Sequence, residues 1–173
     1  ICTNALGGCV GSTGPSSIDP DTDKPYGLNF PIFTIEDMVN YQKLFIDTLD
    51  LPYLYAVAGG SMGGMEVLVW AKNYPDFVKK AIVIASTTQT SPLGIAFDEV
   101  GRNAILSDAN FNKGNYYDSL KPEKGLSIAR MIGHITYLSE SSMEAKFGRK
   151  IQEILHFQPR LQTEFFGPMY AVE

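Results

Sequence analysis

Ser61 stands in Gly59-Gly60-Ser61-Met62-Gly63, a G-x-S-x-G pattern, between an apolar β-rich run from Tyr53 to Ala58 and a stretch of helical periodicity. That context is a nucleophile elbow, in which the chain turns from strand to helix through one strained residue and lifts the serine hydroxyl clear of the sheet edge. So tight a turn leaves no room for Cβ atoms two residues before and two after the serine. Gly59 and Gly63 are expected to supply that room. The N–H of Met62, at the start of the new helix, points at any oxyanion that forms on a substrate held at Ser61. The chemistry implied is acyl transfer through a covalent acyl-serine. A glycine-rich strand-to-helix turn can instead cradle phosphate. Here the P-loop lysine is missing, and Gly59, Gly60, Gly63 and Gly64 do not fall at G-x-G-x-x-G spacing.

The elements around the elbow follow from turn residues and apolar spacing. Asn4 to Pro31 reads as one long loop, and a loop of that length inside a compact domain is usually functional. Thr34 caps a helix whose first turn carries Glu36 and Asp37, whose apolar residues Ile35, Met38, Val39, Phe45, Ile46 and Leu49 keep helical spacing, and which Pro52 ends. The Tyr53 strand and the elbow come next. A helix from Met62 to Tyr74 follows, with Met65, Leu68 and Val69 on one face and Pro75 as its stop. Ala81-Ile82-Val83-Ile84-Ala85 is wholly apolar, the pattern of a central parallel strand covered on both faces. Strand, helix, strand, helix, strand gives a parallel α/β core. After Ser86 no further strand pattern appears, and everything to Glu173 reads as helices and loops. The expected division is an α/β core over residues 1–88 and a helical cap over the active site from residue 89 to residue 173. A separate helical domain without a catalytic part is the alternative.

Composition bounds the partners. The 173 residues are 45% hydrophobic and 19% charged, enough for one domain with a real core. A net charge of −5 argues against a nucleic-acid or anionic-membrane partner and favours small-molecule substrates. Cys2 and Cys9 flank a glycine-rich turn without zinc-ligand spacing, so free thiols in a reducing compartment are expected, and no bound metal. No signal peptide or membrane-length apolar run is present, which makes the cytoplasm the default location. The chain opens on Ile1-Cys2-Thr3, which reads as the tail of a buried strand, and it is expected to be a piece of something longer.

Within the helical half, Leu126 to Leu138 is apolar nearly all round and is therefore expected to be buried. Arg130, His134 and Tyr137 share one of its faces at i, i+4 and i+7. A buried arginine needs an anionic partner, and the guanidinium fork suits a carboxylate. That partner is either an internal Asp or Glu or a substrate carboxylate. Arg102 has Asp98 and Glu99 one turn before it, so a surface ion pair is the simpler account there.

Three stretches together resemble the homoserine O-acetyltransferases: the loop from Leu6 to Ser17, the elbow from Gly59 to Gly64, and the segment from Arg130 to Ser139. Gly101-Arg102-Asn103-Ala104-Ile105 and Lys146-Phe147-Gly148-Arg149 are similar to that family as well. The resemblance implies an α/β-hydrolase fold and a ping-pong acyltransferase of methionine biosynthesis. Its serine takes an acetyl group from acetyl-CoA and passes it to the hydroxyl of L-homoserine. Carried over by position, Ser61 is the nucleophile, the Met62 N–H is one oxyanion donor, and Arg130 with Tyr137 contacts the homoserine carboxylate. It also implies a homodimer paired through the helical cap and no permanently bound cofactor, acetyl-CoA being a substrate. In that family the catalytic aspartate and histidine follow the cap and the second oxyanion donor precedes the elbow, so the chain alone is expected to lack them. Asp98, Asp108 or Asp118 with His134 or His156 would satisfy the order of a triad, yet no strand follows Ala85 to carry an acid and a base to Ser61. An esterase or deacetylase of the same fold, and a succinyl donor in place of acetyl, are the alternatives.

Overall fold

The computed structural model of the chain describes residues 1–148. Its regular elements are a short antiparallel pair β1 (Ile18–Asp19) and β2 (Lys24–Pro25), α1 (Ile35–Asp47), β3 (Val57–Gly60), α2 (Met62–Asn73), β4 (Ala81–Ile84), α3 (Pro92–Leu106), α4 (Glu123–Tyr137) and α5 (Glu140–Phe147). Residues 1–133 form one compact unit, and a second begins at His134, inside α4.

α1 starts where the sequence places it. Thr34 and Asp37 form a reciprocal capping box: the Thr34 hydroxyl accepts the Asp37 N–H at 3.2 Å, and the Asp37 carboxylate accepts the Thr34 N–H at 2.7 Å. β3 and β4 pair in parallel, Val57 opposite Ala81 and Gly60 opposite Ile84, and α2 crosses between them to pack on both. α1 packs against α2. The core lies between them, built from Val39 and Ile46 of α1, Trp70 of α2 and Val78. The indole N–H of Trp70 donates to the Gln42 side-chain oxygen at 2.8 Å, and the Gln42 amide in turn donates to Glu66. The one polar atom of the buried ring is thus satisfied.

Several expectations change. The buried stripe of α2 is Gly64, Val67 and Trp70, while Met65, Leu68 and Val69 are half-buried. α2 is apolar nearly all round, so periodicity alone cannot choose its inner face. The long loop contains the β1–β2 pair and a 3₁₀ turn over Gly27–Asn29. Ile1 to Thr3 form no strand, and Ile1 is exposed. The run from Tyr53 enters the sheet late: Leu54 makes a single bridge to Val78, and the strand proper starts at Val57. The described residues do not cover β4 on both faces; Ile82, Val83 and Ile84 are 40–57% exposed. Among the described residues it has one neighbouring strand and one helix layer.

Among the described residues every regular element after β4 is helical. α3 and α4 approach closely and run antiparallel: a Cβ at Gly101 would lie 3.6 Å from the Ala129 Cβ, and one at Gly125 would lie 2.5 Å from the Ala104 carbonyl oxygen. Only that small-residue side of α4 is buried. Leu126, Ile128 and Met131 remain exposed, which overturns the expectation of a buried helix. No helix among the described residues is long and apolar enough to cross a membrane. Asp108 ties the α3–α4 junction together, its carboxylate accepting the N–H groups of Asn110 at 2.9 Å and Gly125 at 2.8 Å.

These two backbone N–H groups, Gly125 first, hold the Asp108 carboxyl below its usual range. A lowered native pKa means a stabilising contribution that is present above the unfolded value of about pH 4 and is lost as pH falls through the native value. Asp108→Ala is therefore expected to lower the thermal midpoint more at pH 7 than at pH 3, as read from melting curves at the two pH values.

Candidate active site

Ser61 joins β3 directly to α2 and sits at φ 53°, ψ −121°. A serine in that region is strained by about 1–3 kcal/mol. The backbone around it is held from both sides. Its N–H donates to the Ile84 carbonyl of β4 at 3.0 Å, and its own carbonyl accepts the N–H groups of Gly64 and Met65 at 3.0 and 3.3 Å. A serine at a helix N-cap ordinarily spends its hydroxyl on the first-turn N–H groups. Ser61 makes no such side-chain cap, so its hydroxyl is left to the cleft. Met62 is the first residue of α2, where an N–H has no intrahelical carbonyl to reach and the helix dipole is positive.

The glycines divide the steric work differently from the sequence expectation. A Cβ at Gly59 would stand 2.2 Å from the Gly63 carbonyl oxygen and 2.4 Å from its carbonyl carbon, so residue 59 must be glycine. A Cβ at Gly63 meets nothing within 4 Å among the described residues. The second crowded position is Gly64, where a Cβ would lie 2.5 Å from the Ser86 Cβ. It is the backbone of residue 63, not the absence of its side chain, that the turn requires.

Ser61 opens on a cleft of about 420 Å³. Met65 of α2 and the segment that leaves β4, Ala85, Ser86 and Thr87, line it, and Thr90, Ser91 and Asp98 complete it at the N-terminal side of α3. It holds five hydroxyl side chains and one carboxylate. Arg102 pairs with Glu99 at 2.6 Å, the surface ion pair expected, and its partner is Glu99 rather than Asp98. The guanidinium, with the Asn103 amide, holds the Glu99 carboxyl below its usual range. Of the three aspartates that could follow Ser61 in a triad, Asp98 lines the cleft, Asp108 is committed to backbone N–H groups, and Asp118 is exposed on a loop.

Arg130 lies on α4 in the first unit, is exposed, and is not among the residues that line the cleft. The argument from a buried guanidinium therefore does not apply to it. His134 and Tyr137 belong to the second unit, with Tyr137 87% exposed. His156 and Arg149 lie outside the described residues. Among those residues no group of three or more His, Cys, Asp or Glu side chains comes together as a metal site. Sequence reading missed the wall formed by Ser86, Thr87, Thr90 and Ser91. Its signal is present, a hydroxyl-rich run at the carboxyl end of a parallel strand, where ligands of α/β sheets bind.

The model of the alpha/beta hydrolase fold family matches residues 1–163. The chain belongs to the α/β-hydrolase fold family. Within that family it is similar to proteins named homoserine O-acetyltransferase: it is 60% identical over 165 residues to that of Methanococcoides burtonii and 57% identical over 165 residues to that of Methanosalsum zhilinae. Each alignment covers 95% of this chain and 34% of the relative, so the chain spans about a third of their length. Among solved α/β-hydrolase structures, the homoserine O-acetyltransferase of Bacillus anthracis superposes with a TM-score of 0.76 at 30% identity, over 83% of this chain and 38% of that one. Esterase E22 superposes with a TM-score of 0.72 at 39% identity, over 82% of this chain and 39% of that one.

The elbow geometry separates two glycines that the motif treats alike. Gly59→Ala is expected to cost about 3 kcal/mol or more, because neither of the two backbone segments can give way. Gly63→Ala should be neutral or stabilise by up to about 1 kcal/mol, since alanine is the better helix former. Denaturant unfolding of the two variants checks both.

Proposed function

We propose that the protein carrying this chain is an acyltransferase that moves an acetyl group from acetyl-CoA to the hydroxyl of L-homoserine by way of an acyl-Ser61 intermediate, a step of methionine biosynthesis. The observation that carries the proposal is the strained, uncapped Ser61 at the elbow, opening on a cleft, in a chain 57–60% identical to relatives of that name. Ser61 attacks the thioester carbonyl, and the Met62 N–H at the head of α2 stabilises the oxyanion. CoA leaves, and the acceptor hydroxyl then attacks the acyl-serine and releases the free serine. Both halves require a base for the Ser61 proton and an acid to orient that base. No histidine lines the cleft among the described residues. Together with the partial span of the relatives, this supports a base and acid drawn from elsewhere in the whole protein.

Arg130, with Tyr137, binds the acceptor carboxylate in this reading, supported by the resemblance and by their i, i+7 spacing in the sequence. The helical segment from residue 89 serves as the cap, supported by α3, whose N-terminal side already forms a wall of the Ser61 cleft. No bound cofactor is needed, since acetyl-CoA is consumed as a substrate. A cytoplasmic homodimer paired through the cap is the proposed assembly, and the exposed free thiols of Cys2 and Cys9 suit a reducing compartment.

A second reading is an esterase, favoured by the 39% identity to esterase E22. It uses Ser61 in the same way, with water completing the reaction. Acetyl-CoA supplied to the whole protein without acceptor is expected to leave an acetyl group on the Ser61 peptide, found by mass spectrometry. An acetyl found only elsewhere sinks the assignment, and Ser61→Ala should abolish turnover while keeping the fold. Added homoserine should then discharge the acyl-enzyme to O-acetylhomoserine, whereas acetate as the main product establishes the esterase. Succinyl-CoA run in parallel reads the donor.

Arg130→Lys is expected to slow discharge by homoserine at least tenfold more than loading by acetyl-CoA, because an ammonium cannot reproduce the bidentate fork. Equal loss in the two half-reactions, measured by single-turnover kinetics, assigns Arg130 a structural role.

A further inference from the structure

Among the described residues that line the Ser61 cleft, Asp98 of α3 carries the only charge. The rest of the lining is hydroxyls, Met65 and Ala85. Its place follows from the helix. Ser91 caps α3, its hydroxyl accepting the Gly94 N–H at 3.1 Å, and Asp98 stands at i+7 from Ser91, two helical turns on and so on the same face. The side chains that could neutralise it are engaged elsewhere. Arg102, one turn further, sets both its Nε and its Nη2 on the Glu99 carboxylate at 3.0 and 2.6 Å, and the Asn103 amide donates to Glu99 as well. Among the described residues no hydrogen bond or ion pair reaches the Asp98 carboxylate, which is exposed. α3 thus spends one carboxylate on its own surface and leaves its neighbour to the cleft.

We propose that Asp98 is a specificity-determining residue that binds the ammonium group of an amino-acid acceptor, so that the cleft selects the amino acid over the same hydroxy acid without its nitrogen. This rests on the reading above, in which homoserine discharges an acyl-Ser61. An amino acid arrives as a zwitterion, and each charge drawn out of water needs a partner. Arg130 is given the carboxylate in that reading, which leaves the ammonium to be met. A serine or threonine hydroxyl can accept from it, yet a hydrogen bond in which both groups are charged is roughly twice as strong as one between neutral groups. Asp98 is the cleft side chain able to make one. The acetyl group that loads Ser61 carries no charge, so the carboxylate acts in the second half-reaction and not in the first.

Asp98→Asn in the whole protein tests this, with melting curves to confirm the fold. Acetyl-Ser61 enzyme is formed with acetyl-CoA, and its discharge is followed in single turnovers with homoserine and with γ-hydroxybutyrate, which keeps the chain, the hydroxyl and the carboxylate but lacks the ammonium. The wild-type protein should discharge faster to homoserine. Asp98→Asn should shrink that preference about tenfold or more, through loss of the homoserine rate. Asp98→Glu, which restores the charge, should recover part of it. A preference that survives Asp98→Asn unchanged, or a wild-type protein that treats the two acceptors alike, overturns the proposal. Loading by acetyl-CoA that falls as far as discharge by homoserine also overturns it, and makes Asp98 part of the acid–base machinery. A wild-type protein that leaves Ser61 unacetylated, or that releases its acetyl group to water in the presence of homoserine, is a different result: it removes the acyltransferase reading itself, and this inference with it.

Discussion

The Gly63 carbonyl lies where a side chain on residue 59 would have to be, 2.2 Å from the Cβ that Gly59 lacks. That contact joins the last turn of a strand to the first turn of the helix it feeds, with only Ser61 between. Because the two backbones meet so closely, the intervening residue cannot take an ordinary conformation. It is pushed to positive φ, and its hydroxyl is turned away from the helix N-terminus it would otherwise cap. The strain and the exposed nucleophile are thus two aspects of one steric constraint.

Holding a residue at an unfavourable φ requires surroundings that over-determine it. Here they are the parallel register of β3 on β4, which brings the Ile84 carbonyl to the Ser61 N–H, and the anchoring of α2 through Gly64, Val67 and Trp70. Burying an aliphatic or aromatic side chain contributes about 1.5–3 kcal/mol. Val67 and Trp70 alone are therefore of the size needed to offset the strain at Ser61. The Trp70–Gln42–Glu66 chain of hydrogen bonds fixes the rotation of α2 about its axis, and with it the direction in which the Met62 N–H points.

The same register ends β4 beside the nucleophile. The chain that leaves the strand, from Ala85 to Ser91, has no regular structure until α3 begins, and it lays its hydroxyls along the cleft. α3 then closes one side, and the Gly101–Ala129 and Gly125–Ala104 contacts fix where α4 crosses it. The cleft is therefore a product of where β4 stops, and its lining belongs to a segment with no secondary-structure signature.

Much of this was legible in the residues. The G-x-S-x-G pattern between an apolar run and a helical stretch determined the elbow, because a strained strand-to-helix turn admits few sequences. Thr34 and Asp37 determined the start of α1, because a capping box is a local hydrogen-bond exchange that depends on nothing distant. The Arg102–Glu99 pair followed from one helical turn of spacing. What the tertiary structure alone decided is long-range. Gly64 rather than Gly63 became the crowded glycine because Ser86, twenty-two residues on, packs against it. Trp70 became core because α1 packs on α2, and α4 kept its apolar residues exposed because only its small-residue side meets α3. Asp98 and Asp108 look alike in sequence, yet one lines the cleft and the other caps a junction. Local chemistry is written in neighbours along the chain, whereas burial and the company of a side chain depend on segments that only folding brings together.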